Sequence, residues 1–246
     1  MPRFVVLSQQ AFLILWREHI LLAGLILSIS MTLIAHVIDS WTLHDSYKIL
    51  YDTLAFSLNF FGNMMAIFWG TSCLGIEQKS HYTLGLSYPV SRSQWLLSQY
   101  TGLFFALFGL LVINTLVWQL SMYLLSYPFM SIDQLMIFPL HFFSWLIISA
   151  ASVFFASFCS RSASLFCAFS LWVLGLTAPL LPIPKNDYFA ELALKFLRAF
   201  WNLQYFNAEP NPDLSTSSFL LTTSYAISLV ACFLFAACQI FSRKDL

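Results

Sequence analysis

Apolar residues run along this chain in six long blocks, at 20–38, 54–76, 101–125, 135–158, 163–183 and 219–241, with polar stretches between them. A hydrocarbon layer about 30 Å thick is crossed by about 20 helical residues. Each block therefore predicts a membrane-spanning helix. Glycine, serine and asparagine inside the blocks fit that reading, because a helix satisfies its own backbone groups and small residues let neighbouring helices approach. Only Cys159, Ser160, Arg161 and Ser162 part the fourth block from the fifth, which predicts a very tight hairpin.

Two further stretches show helical spacing without the length or apolarity of a span. In residues 1–19, Phe4, Leu7, Ala11 and Leu15 recur every three or four positions among Gln9, Gln10, Arg17, Glu18 and His19. With no small-residue cleavage site after an apolar core, the segment predicts a short interfacial helix rather than a cleaved signal. In residues 187–206, Phe189, Leu192, Phe196, Phe200 and Leu203 follow the same spacing, opposite Asp187, Glu191, Lys195, Arg198 and Asn202. Glu191 and Lys195 are placed for an i,i+4 pair. The breaker run Pro179, Pro182, Pro184 introduces this second amphipathic helix, expected either as a lid packed on the bundle or as a guide for substrate release.

Composition then excludes whole classes. Of 246 residues, 59% are hydrophobic and 9% charged, against about 25% charged in a soluble domain. Mean hydropathy is +0.77. Net charge is zero, so no basic surface for nucleic acid is expected. Cys73, Cys159, Cys167, Cys232 and Cys238 all lie in apolar runs without metal spacing, which makes them packing residues.

Charge also orients the spans. With the N-terminus in the cytosol, Arg3, Arg17, Lys79, Arg92, Arg161, Arg243 and Lys244 fall inside, and Lys48, Lys185, Lys195 and Arg198 outside. Eight of the 11 acids fall outside; only Glu18, Glu77 and Asp245 fall inside. This asymmetry predicts both termini in the cytosol. The fold class expected is thus an all-α membrane protein, one domain over 1–246, with six spans.

Catalytic signatures are missing. No phosphate loop, HExxH, GxSxG or dinucleotide fingerprint occurs, and the central portions of the spans hold no acid or base of the kind that relays protons. The polar residues inside are Asn59 and Asn63 on the second span, Asn114 and Gln119 on the third, and His141 on the fourth. They are candidates either for interhelical hydrogen bonds or for lining a translocation path. His141 lacks a second ligand at sensible spacing, so no metal site is expected.

The longest cytosolic stretch, 75–100, exceeds what a connection needs. Residues 77–86 have the make-up of a short helix parallel to the membrane, stopped at Tyr88 and Pro89 because the residue before proline resists helical geometry. Ser91 is expected to cap the helix that re-enters the bilayer. An acid after the second span (Glu77), a Thr-Leu pair (Thr83, Leu84) and the turn Pro89-Val90-Ser91-Arg92 resemble the permease subunits of type-2 ABC exporters. The terminal Phe241-Ser242-Arg243-Lys244-Asp245-Leu246 and the external Trp201-Asn202-Leu203-Gln204-Tyr205-Phe206-Asn207 are similar to segments of those subunits too. Tyr82 stands where that family commonly has glycine, and Gln99 where a lysine is frequent.

The resemblance implies a permease without an ATPase site of its own, in a bacterial cytoplasmic (inner) membrane. A separate ATP-binding subunit would hold ATP and Mg and receive the coupling segment, with Glu77, Tyr82, Thr83, Leu84, Pro89, Val90, Ser91 and Arg92 at the contact. A second copy, or a homologous permease, would complete the translocation path. Leu176-Thr177-Ala178-Pro179-Leu180-Leu181 is similar to the fifth span of haem-exporter-like permeases of cytochrome c maturation, which stand as an alternative. A six-span scaffold or intramembrane enzyme that needs no ATPase is another.

Overall fold

The computed structural model describes residues 2–17, 20–41, 46–74, 91–124, 127, 135–182, 188–206 and 216–243, and these are almost wholly helical. In chain order the helices are α1 (Pro2–Arg17), α2 (Ile20–Trp41), α3 (Ser46–Ser57), α4 (Asn63–Cys73), α5 (Arg92–Leu124), α6 (Ile137–Ala156), α7 (Arg161–Thr177), α8 (Tyr188–Phe200) and α9 (Thr216–Arg243). Three of the described helices are long and apolar enough to cross a membrane: Arg92–Leu124, Ile137–Ala156 and Phe219–Arg243. Shorter apolar helical stretches cover Phe4–Leu15, Ile26–Ile38 and Arg161–Thr177.

The second apolar block begins later than the helix that carries it. α3 and α4 run into one another through a π turn at Leu58–Gly62, so the chain is helical from Ser46 to Cys73. α5, at 33 residues, is about 50 Å long, well beyond the apolar block at 101–125. Its extra length is the stretch from Arg92, started by Ser91: the Ser91 Oγ accepts from the Gln94 N–H at 3.3 Å and its carbonyl from the Trp95 N–H at 3.0 Å. That is the side-chain cap expected of serine.

α6 is the central helix, buried over nearly its whole length and packed against α4, α5, α7 and α9. Lipid tails are as apolar as leucine, so close packing must supply the attraction between such helices. The α4–α6 seam does this with Gly62, Ala66 and Gly70, four residues apart and therefore on one helix face. A Cβ on Gly70 would stand 2.8 Å from the Ser149 carbonyl oxygen and 2.6 Å from the Ser152 Cβ, and one on Gly62 would run into the Trp145 indole.

α1 and α2 follow one another along α5. α1 buries Ser8, Ala11 and Leu15 there, with Gly102 close enough that a Cβ would lie 2.6 Å from that of Ala11. Its other face exposes Val5, Val6, Leu13 and Ile14. The hairpin between α6 and α7 is as tight as the sequence predicts. Ser160, extended at φ −66° and ψ 160°, starts α7, and the Ser164 N–H and Oγ both donate to its carbonyl.

The helix expected over 187–206 ends at Phe200. The Glu191–Lys195 pair forms at 2.6 Å. Phe189, Leu192, Phe196 and Phe200 face away from the bundle, 81% exposed at Phe189, so this apolar face is not a lid lying on the other helices. Leu203 does not share that face. It belongs to a 3-10 turn, Leu203–Phe206, whose Leu203 and Phe206 are buried in the bundle together with Trp201.

Candidate functional site: a π turn, a polar seam and a non-helical segment

The candidate path residues come apart into three groups. Asn59 and Asn63, four apart and so on one face, meet where the π turn passes into α4. The Asn63 Nδ2 donates to the Asn59 carbonyl at 2.6 Å and to its Oδ1 at 3.1 Å. Ser144 on α6 donates its hydroxyl to the Asn63 Oδ1 at 3.1 Å, which ties the fully buried Asn63 across the seam. One residue on, the Trp145 Nε1 donates to the Leu58 carbonyl at 2.9 Å, its ring lying over Gly62. A π turn is thus held by a tryptophan and a serine from the neighbouring helix.

Asn114 bonds its own helix, Nδ2 to the Leu110 carbonyl at 2.9 Å. It also lines a cavity formed by the π turn, α2, α3, α4, α5 and α6, with Gly24, Ser57, Gly62, Met65 and Trp145 on its walls. The cavity admits about one water molecule, so it is no substrate chamber. Gln119 and His141 join neither group: among the described residues, the Gln119 Oε1 and the His141 Nδ1 are buried without a hydrogen-bond partner. No group of three or more metal-ligating side chains occurs among the described residues.

Of the proposed coupling residues, Glu77, Tyr82, Thr83, Leu84, Pro89 and Val90 lie outside the described residues. Ser91 and Arg92 open α5, as above. One turn later Trp95, buried, stacks on Phe241 near the end of α9, with centroids 5.7 Å apart and planes 18° off parallel. The first turns of α5 and the end of α9, far apart in sequence, therefore meet. Lys244, Asp245 and Leu246 of the chain-terminal motif, and Asn207 of the motif that starts at Trp201, lie outside the described residues. On the neighbouring side, the Arg161 Nη2 donates to the Ser72 Oγ at 3.0 Å, next to the last residue of α4.

The motif that starts at Trp201 is a built element. After α8 the chain leaves helical geometry at Trp201 and Asn202, and neighbouring helices supply partners there. The Trp201 N–H still reaches the Leu197 carbonyl at 2.7 Å, and its indole N–H donates to the Leu171 carbonyl on α7 at 2.8 Å. Gln204 donates from Nε2 to the Leu176 carbonyl at 3.1 Å. From α9, the Tyr225 hydroxyl donates to the Phe200 carbonyl at 2.8 Å and accepts from the Asn202 N–H at 3.2 Å. Irregular backbone among spanning helices is tolerated only where protein buries and satisfies it, and these bonds meet that condition. Arg198 fixes the approach of α8, donating to the carbonyls of Ala178 and Leu181.

No protein-family model matches the chain, and no curated protein matches it.

Sequence reasoning missed the partners of these groups. Ser144 and Trp145 pass as ordinary members of an apolar block. The signal that would have found the seam is the four-residue spacing of Gly62, Ala66 and Gly70. Tyr225 carries no local signal at all.

Proposed function

We propose that this chain is the membrane-spanning permease subunit of an ATP-driven exporter of the type-2 ABC class. It crosses a bacterial cytoplasmic membrane six times with both ends in the cytosol. It carries no ATPase site; a separate subunit binds ATP and Mg and docks on the segment from Glu77 to Arg92. A second copy or a homologous permease completes the path.

The observation that carries this reading is the Trp95–Phe241 stack. It sets Phe241, the first residue of the chain-terminal motif, against the helix that the turn motif opens, one turn after Arg92. Arg92, Arg161 and Arg243 stand at helix ends on the side where α5 begins and α9 ends, in keeping with a cytosolic face. The polar seam supports the second copy. Asn59, Asn63 and Ser144 are used in holding α4 to α6, and the neighbouring cavity is too small for a substrate. A path through the assembly then belongs between two permeases, and what passes along it meets a largely apolar wall.

The test is purification of the chain with its soluble partner. Glu77→Ala and Arg92→Ala are expected to weaken assembly and to lower the partner's ATP hydrolysis. Undiminished assembly and hydrolysis in both would sink the assignment. A haem absorption band travelling with the complex would move the reading to the haem-exporter-like class.

A further inference from the structure

The two helices that bracket residues 75–90 are each fastened to a different helix of the C-terminal half. The end of α4 is tied to the first residue of α7 through Ser72 and Arg161. The start of α5 is tied to the end of α9 through Trp95 and Phe241. Followed away from those joints, α7 and α9 lead to the same place. α7 presents the Leu171 and Leu176 carbonyls to Trp201 and Gln204, and Gly175 lies hard against Leu203. α9 presents Tyr225 to Phe200 and Asn202, stacks it on Phe206 at 6.2 Å, and sets Phe233 edge-on to Trp201 at 5.6 Å.

We infer that the Trp201–Phe206 segment is the element displaced when the helices bracketing residues 75–90 are pushed, with α7 and α9 as the two levers. The inference rests on the permease reading for the source of the push. Its physical ground is rigidity. From Arg161 to Leu171 is about 15 Å along α7, and from Phe241 to Tyr225 about 24 Å along α9, and a helix moves over such lengths as a rod. Among the described residues α7 and α9 share no extended seam; the segment and α6 stand between them. α6 is clamped to α4 by its glycine seam and cannot take up much slack. A shift of α7 relative to α9 must therefore be absorbed where the backbone is not helical, at Trp201 and Asn202. Those residues are bonded to one lever through the indole and to the other through the tyrosine hydroxyl, so the shift pulls on both ends of a short stretch. Coupling of this kind needs an element with alternative arrangements, and a hydrogen-bonded non-helical break between two rods supplies one.

The experiment uses the full chain, with its five cysteines replaced and Tyr205, 57% exposed, changed to Cys as the reporter. The chain is reconstituted with its ATP-binding subunit in vesicles, and the rate of maleimide labelling is measured at rest and after trapping with ATP and vanadate. Trapping is expected to change the rate at least about fivefold. In Arg161→Ala and in Phe241→Ala, with ATP hydrolysis still running, the change should fall below about twofold. Ser72→Ala and Phe241→Leu interrogate the same joints should either variant fail to assemble. A full-sized change in all of them, or no change in the parent while it hydrolyses ATP, overturns the inference. If the unsubstituted chain recruits no ATP-hydrolysing subunit, the permease reading falls first and this inference falls with it.

Discussion

The indole N–H of Trp145 donates to the Leu58 carbonyl at 2.9 Å while the same ring covers Gly62, four residues further along the partner helix. One side chain thus performs two tasks: it supplies a donor to a backbone carbonyl in the π turn, and it fills the space that the missing Cβ leaves. Trp145→Phe keeps most of the packing and deletes the donor, which should cost about 1–2 kcal/mol. Trp145→Ala also opens a cavity and should cost about 3–5 kcal/mol. Thermal unfolding of the purified protein in detergent checks the order. Equal melting points for Trp145→Phe and the parent would show that the indole N–H contributes nothing.

The Asn63–Ser144 bond offers a sharper measurement, because both partners are buried and the amide is shared with Asn59. Hydrogen bonds between helices in lipid average about 0.6 kcal/mol in coupling energy and reach about 1.7. A double-mutant cycle of Asn63→Ala and Ser144→Ala should fall in that range. Asn63→Ala alone should cost more than Ser144→Ala alone, since it strips partners from two residues. A coupling energy indistinguishable from zero would remove the hydrogen bond from the account of the seam.

What could be foretold from the residues were features whose causes are local. The α6–α7 hairpin follows from the four residues Cys159 to Ser162 between two apolar blocks, the Ser91 cap from a serine after proline and valine, the Glu191–Lys195 pair from a four-residue spacing. The π turn was hidden, because the groups that hold it come from Ser144 and Trp145, more than 80 residues away. The break after Phe200 was hidden for a related reason. The apolar spacing of α8 carries on through Leu203, and only Tyr225 and the carbonyls of α7 make leaving the helix affordable. The candidate path residues were found by their polarity, but polarity alone does not distinguish a wall facing a passage from a bolt between two helices. Asn63 proves to be the bolt.

Charge on α8 makes a paired prediction. Lys195 and Glu191 form an exposed i,i+4 pair, 58% and 32% accessible. Such pairs contribute about 0.3–0.5 kcal/mol, so Lys195→Ala should leave the melting point within about one degree. Arg198 is different. Its guanidinium donates to the carbonyls of Ala178, the residue after α7, and of Leu181 in the turn that follows. Arg198→Ala should lower the melting point by several degrees, and Arg198→Lys should restore little, since an ammonium cannot reproduce the fork. Equal effects of Lys195→Ala and Arg198→Ala would mean that α8 is not fastened through Arg198.

The start of α5 gives the last prediction. Ser91 accepts from the Gln94 N–H on an exposed helix end, and replacing such a cap by alanine costs about 1 kcal/mol. Asp at the same position retains an acceptor and adds a charge favoured by the helix dipole, so Ser91→Asp should match or exceed the parent in stability. Ser91→Ala should fray the first turn. Fraying would loosen Trp95 from Phe241, so backbone amide exchange should quicken at Trp95 and also at the far end of α9, near Phe241. Faster exchange confined to α5 would show that the stack does not join the two helices mechanically. Unchanged exchange at Gln94 in Ser91→Ala would show that the hydroxyl does not cap the helix at all.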